Sequence, residues 1–239
     1  MELMRRRGMM SVPATASGYA TDGLIAYWDG IDNTGGQGHD PDLRSWVDLV
    51  NGYTWTFGNG TPAFGTDGIT FTGTSSQVME HTGSFWTRPQ YSTIEMVCTP
   101  SANASLQAAI LDTSDTSSGG YFSSRGIFFF SDNTVNFIGD RSKTYATGLS
   151  SIMAVKKLGA TYNGFIITGA YVNGSSVSLG SVTHSFRSQN KNFYLGAGPT
   201  GGYPFNGIIR ALRVYNRELT AAERAQNDAY DNIRYNLNM

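Results

Sequence analysis

A single cysteine, Cys98, excludes an internal disulfide in this 239-residue chain, so stability has to come from a buried core rather than from covalent staples. Cys98 lies in the apolar run Ile94-Glu95-Met96-Val97-Cys98 with no histidine nearby in sequence, which predicts a small buried hydrophobe and not a catalytic thiol. Charge is scarce as well. Asp, Glu, Lys and Arg amount to 15% of residues, against about 25% in ordinary soluble domains, so the surface must be made of neutral polar groups. A formal net charge of -1 gives no long-range pull toward nucleic acid or an anionic membrane, and neither is expected as a partner. No apolar run approaches the ~18 residues of a membrane-spanning helix. Amphipathic helices are equally sparse, which removes the strand-helix alternation on which parallel α/β folds depend.

What is present is strand and turn chemistry. The 29 glycines, with serine, threonine and asparagine, fill the gaps between short apolar runs, as tight turns between strands require. Residues 1–21 carry Arg5, Arg6 and Arg7 but place Pro, Ser, Thr and Gly where a signal peptide needs an apolar stretch, so they read as a flexible basic arm or a tether to a partner assembly. From Asp22 the pattern changes, and residues 22–239 read as one domain. Gly23-Leu24-Ile25-Ala26-Tyr27-Trp28-Asp29-Gly30 is a glycine-bounded apolar strand, and Tyr53-Thr54-Trp55-Thr56-Phe57 alternates with period two. Further strands are predicted at 68–71, 76–80, 91–98, 107–111, 126–130, 134–138, 152–156, 164–172, 176–179, 193–195 and 208–215. Asn173-Gly174 supplies the two positive-φ positions of a type I′ hairpin.

The carboxyl-terminal end is the most specific stretch. Phe205 to Tyr215 reads as a closing strand in which Ile209 and Leu212 both face inward only if a bulge falls near Arg210 and Ala211. Thr220 and Glu223 then form a capping box at the start of a helix. Along that helix Ala225, Ala229, Ile233 and Leu237 recur every four residues, and the predicted buried face is this apolar stripe.

In order along the chain, Gly23-Leu24-Ile25-Ala26-Tyr27-Trp28, Tyr91-Ser92-Thr93-Ile94-Glu95-Met96-Val97, Ala170-Tyr171-Val172-Asn173-Gly174 and the segment 205–223 resemble the laminin-G-like, concanavalin A-like lectin/glucanase jelly-roll family. The resemblance implies an all-β, two-sheet antiparallel β-sandwich closed by the last strand, with a short C-terminal helix. It also implies a use mostly in binding, often of sugars, and sometimes in glycan cleavage. Position 210 is often acidic in the family, and Arg210 stands there in this chain, so no acidic role is carried over to it.

Glucanases of this fold usually place a carboxylate pair on one strand as Glu-x-Asp-x-x-Glu, with about 5 to 5.5 Å between the groups for a retaining mechanism. The five glutamates, Glu2, Glu80, Glu95, Glu218 and Glu223, form no such motif. His39, His81 and His184 show no metal-ligand spacing, and there is no Gly-x-Ser-x-Gly elbow. The resemblance makes calcium at the loop rim a candidate cofactor, with Asp112 and Asp115 as the oxygen-ligand pair; the alternative is that both close Asx turns. Trp86, Tyr121 and Tyr203, flanked by Gly, Ser, Pro or charged residues, are the candidate sugar-stacking aromatics, whereas Trp28, Trp46 and Trp55 sit in strand-like runs and read as core.

The reading is therefore a recognition module and not an enzyme, binding a glycan or a surface protein through rim loops. The alternative is a structural or adhesion subunit of a larger assembly, tethered by the arm, since the short start without a signal peptide resembles phage or prophage proteins. An extracellular, cell-surface or virion-exposed location fits both, and both leave room for a homo-oligomer.

Overall fold

The structure is a computed structural model, and it describes residues 18–58, 60, 62–82, 91–101, 107–113, 123–130, 134–139, 142–146, 152–163, 166–179, 192–198 and 201–239. The strands are β1 (Leu24–Asp29), β2 (Ser45–Val47), β3 (Thr54–Phe57), β4 (Ala63–Phe64), β5 (Ile69–Thr72), β6 (Met79–Thr82), β7 (Tyr91–Pro100), β8 (Gln107–Thr113), β9 (Ser123–Phe130), β10 (Thr134–Gly139), β11 (Ser142–Ala146), β12 (Lys157–Asn163), β13 (Ile166–Val172), β14 (Ser175–Ser176), β15 (Asn192–Leu195) and β16 (Asn206–Tyr215), followed by the helix α1 (Ala221–Tyr235). They form two antiparallel sheets. The first runs β14-β13-β12-β7-β16-β5-β4, and the second β11-β10-β9-β8-β15-β6-β3-β2. β1 and β5 share one edge of β16, β5 on its first half and β1 on its second.

Alternation explains the layers. In β7, Ile94, Met96 and Cys98 enter the core between the sheets, while Thr93, Glu95 and Val97 point outward; in β16 Leu212 and Val214 do the same against Ala211, Arg213 and Tyr215. Trp28, Trp46 and Trp55 are wholly buried in that core, with the Trp28 and Trp55 rings 5.6 Å apart. Each such side chain contributes roughly 1.5–3 kcal/mol through removal from water, which lets a sandwich of this size hold together without disulfides. The expected bulge is present: register shifts between Ile209 and Ala211 where β16 pairs with β7, and Ile209 and Leu212 are both buried. Asn173 (φ 48°) and Gly174 (φ 77°) form the expected hairpin turn between β13 and β14. Cys98 is fully buried, and burial pushes its thiol up to about 12.

Of the strand expected at 176–179 only Ser176 belongs to one, the two-residue β14, and two further local expectations fail. Residues 152–156 are not a strand: Ile152–Ala154 is a short 3-10 turn, and the strand is β12. Its Leu158, Ala160 and Tyr162 have the right period and are buried, but Lys157 opens it and Gly159 interrupts it, so it does not read as a strand central to a sheet. The helix is the second correction. Thr220 and Glu223 do make the capping box, and Asn236 closes the helix in the left-handed region. Its buried stripe, however, is Asn227, Asp231 and Tyr235; Ala225 and Ala229 are exposed, Ile233 is 75% exposed, and of the expected stripe only Leu237, just past the helix, is buried.

The physical reason lies in the sheet beneath. The outer face of the first sheet offers Glu95, Lys157 and Arg213, which an alanine stripe could not satisfy. Lys157 Nζ lies 3.2 Å from Glu95, 2.7 Å from Asp228 and 3.0 Å from Asp231, and Arg213 pairs with Glu95 and Asp231. Asn227 donates to Glu95 at 2.6 Å and to the Tyr215 hydroxyl at 3.0 Å. Ala20 N donates to Asn227 Oδ1 at 2.7 Å, and the Tyr19 ring sits between Tyr27 and Tyr230. The packed body thus begins a few residues ahead of Asp22. Among the described residues no helix is long and apolar enough to cross a membrane.

Candidate functional site

β6 is built around one core residue, Met79, which forces Glu80 onto the solvent face of the second sheet. β15 pairs beside it with Tyr194 opposite Glu80 and Asn192 opposite Thr82. Asn192 Nδ2 donates to Glu80 Oε1 at 2.5 Å, and the Tyr194 hydroxyl donates to the same oxygen at 3.4 Å. Thr56, on β3, donates to the Glu80 carbonyl at 3.2 Å. Cross-strand pairing of this kind stabilises a sheet by itself. Its chemistry also matches a polyol: a carboxylate and an amide carbonyl accept from vicinal hydroxyls, and the amide and phenol can donate in return. None of the three was singled out from sequence, although polar positions alternating about Met79 and Phe193 were the available signal.

The register brings together the strand ends that flank several of the predicted site residues, and Tyr203 lies at the other end of β15. Asn192 pairs with Thr82 and with Thr113, and Thr113 pairs with Ser123. The strand ends from which the chain departs toward Trp86, and toward Asp115 and Tyr121, therefore lie side by side next to the Glu80 face. Trp86, Tyr121 and Asp115 themselves lie outside the described residues. Tyr203 belongs to the connection leaving the other end of β15, beyond Leu195, about 10 Å along the strand at roughly 3.3 Å per residue. It is half-buried and has φ 57°.

Asp112 occupies β8 opposite Phe193 on one side and Arg125 on the other. Among the described residues no group of three or more His, Cys, Asp or Glu side chains could hold a metal. His39 Nδ1 contacts the Gly30 carbonyl at 3.2 Å and His81 Nδ1 the Thr54 carbonyl at 2.8 Å, both contacts to the backbone. Arg210, where the family is often acidic, bonds Asp67 at 2.7 Å and Thr99 at 2.9 Å.

The charged cleft under the helix is a structural feature of another kind. Glu95, Lys157, Tyr171, Arg224 and Asp228 line a space of about 20 Å³, room for about one water and too small for a sugar. Burial alone would lower the Lys157 pKa, but Glu95 and Asp231 outweigh it and hold the ammonium above its usual value. Arg224 lies 4.2 Å over the Tyr171 ring.

Two stacked antiparallel sheets and one terminal helix define a lectin-like β-sandwich domain. A laminin-G-type family model, described as the concanavalin A-like lectin/glucanases superfamily, matches residues 64–223, and the chain belongs to that superfamily. Solved structures of similar fold include Trypanosoma rangeli sialidase in complex with 2,3-difluoro-KDN, with TM-score 0.68 and 13% identity over 90% of this chain and 34% of that chain. The same enzyme in complex with sialic acid gives TM-score 0.63 at 13% identity, with the same coverage. A botulinum neurotoxin type C structure, described in connection with cell entry dependent on two ganglioside molecules, gives TM-score 0.58 and 13% identity over 87% of this chain and 51% of that chain. At these identities the likeness is one of fold, and this chain spans about a third of the sialidase and half of the toxin chain. No curated protein matches the sequence. The expectation that the chain is not an enzyme is corrected by the sialidase: this sandwich occurs within an enzyme. The missing Glu-x-Asp-x-x-Glu motif speaks only to one hydrolytic mechanism, so it cannot separate this chain from catalysis.

Proposed function

We propose that this domain recognises glycans. The observation that carries the reading is the Glu80–Asn192–Tyr194 group on the outer side of the second sheet, a half-buried carboxylate and amide hydrogen-bonded to each other and backed by the buried Tyr194 phenol. It stands next to the strand ends from which the chain leads to Trp86 and Tyr121, the aromatic residues expected to stack on a sugar. Membership of a superfamily named for lectins and glucanases, and similar folds solved with sialic acid or described with gangliosides, support the same class of ligand.

A glycan array probed with the purified chain, with and without calcium, is the first test. The strongest binder is then titrated calorimetrically against the parent, Glu80→Gln and Asn192→Ala. Loss of a hydrogen bond to a charged group costs about 1.5–3 kcal/mol, so E80Q should weaken binding by roughly tenfold or more. An array with no binder under either condition sinks the reading.

A further inference from the structure

We infer that the groove between α1 and the outer face of the first sheet is a peptide-binding site, filled here by residues 18–21 of the same chain, and that the corresponding segment of a second copy fits it equally well. The Tyr19 ring stands edge-on to Tyr27 and Tyr230, with centroids 4.6 Å and 5.2 Å away, and the Arg213 guanidinium lies 6.0 Å from it. Both backbone groups of Ala20 meet buried side chains: its N–H donates to Asn227 Oδ1 at 2.7 Å, and its carbonyl accepts from the Tyr215 hydroxyl at 3.0 Å. Gln226 donates to the Gly18 carbonyl at 3.0 Å. The Ala20 methyl is enclosed by Tyr215, Leu219 and Leu24, so that position takes only a small side chain.

Main-chain groups held by hydrogen bonds and alternate side chains held by pockets are the pattern of peptide recognition. Asn227 and Tyr215 are wholly buried, and an empty groove would strip each of a partner, which favours an occupant. The hinge that joins the segment to β1 is lightly tied. Thr21 and Asp22 are exposed, and Gly23 has φ 72°. Leu24 N donates to the Thr21 carbonyl at 3.1 Å, and Arg217 contacts Asp22 through side chains 26% and 86% exposed, a pairing of little strength. Redirecting the chain at these three residues aims residues 18–21 at a neighbour, and reciprocal exchange closes a two-fold dimer. The contacts are the same either way, so the short hinge favours the chain's own segment until chains reach roughly millimolar concentration. The groove lies on the first sheet and Glu80 on the outer side of the second, so the inference stands apart from the glycan reading.

The test uses full-length chains and a synthetic peptide of residues 18–22. Tyr19→Ala and Ala20→Leu each disable the segment and leave the groove intact, so both should melt below the parent. The peptide should raise both Tm values toward the parent's in proportion to the logarithm of its concentration, and leave the parent's unchanged. Peptides with Ala in place of Tyr19, or Leu in place of Ala20, should raise neither. If a variant does not fold alone, the peptide is present during refolding and recovery of folded protein is the readout. Tyr19→Ala keeps the groove and Asn227→Ala keeps the segment, so a mixture of the two at roughly millimolar concentration should sediment as a mixed dimer that neither forms alone. A variant that melts like the parent, a peptide that rescues neither, or rescue that survives loss of the peptide's tyrosine overturns the site. A mixture that stays monomeric overturns the second copy as its occupant.

Discussion

Asp231→Asn tests the most consequential feature of the packing, the seating of the terminal helix on charge. Asp231 is wholly buried, pairs with Arg213, and lies 3.0 Å from Lys157 Nζ. The substitution keeps the shape and removes the charge, leaving Arg213 and Lys157 to share Glu95 and the half-buried Asp228. Breaking a buried pair from one side typically costs about 3–5 kcal/mol. For a domain of this size that corresponds to a fall in Tm of about 6–20 °C. Urea melts followed by circular dichroism give the free energy directly. Adding Lys157→Met to D231N should cost less than the sum of the two single changes, since the second removes a charge that the first stranded. The pH dependence follows with a definite sign. Burial raises the Asp231 pKa, but Arg213 and Lys157 outweigh it and hold it below the ordinary carboxylate value. Its contribution is therefore present above the unfolded-state pKa of about 3.9 and is lost as pH falls through the folded value. D231N should flatten that acid limb. A D231N protein within about 1 kcal/mol of the parent, with an unchanged acid limb, would refute the idea that charge seats the helix.

Three further outcomes are expected. Ile233→Ser should change stability by no more than about 0.5 kcal/mol, because the side chain is 75% exposed; a loss of several kcal/mol in a urea melt would restore the apolar stripe as the buried face. Leu212→Ala should cost about 2–5 kcal/mol by the same assay, since Leu212 fills the core beyond the bulge. Cys98 should stay unlabelled by a thiol reagent at neutral pH until urea unfolds the protein, because burial pushes its thiol up to about 12; rapid native labelling would show that β7 is not where it is described.

Much of the fold could be read locally. Period-two runs such as Tyr53 to Phe57, the Asn173-Gly174 turn, and the Thr220–Glu223 box each report on a structure formed by a few adjacent residues, and each is found as read. The bulge at Arg210 was legible for a related reason. Ile209 and Leu212 could not share a face without it. The candidate site was less legible, since Glu80 and Asn192 are far apart in sequence and become partners only through the pairing of β6 with β15.

The chain by itself thus determined an all-β sandwich, its closing strand and the cap of its last helix, because backbone periodicity and turn chemistry are local. Tertiary structure alone decided which side of that helix goes inward and that Lys157 begins a buried strand. A charge is tolerated in the interior only when its counter-charges are in place, and here those are delivered by β7, β12, β16 and the helix from four distant parts of the sequence. No window of neighbouring residues contains that information.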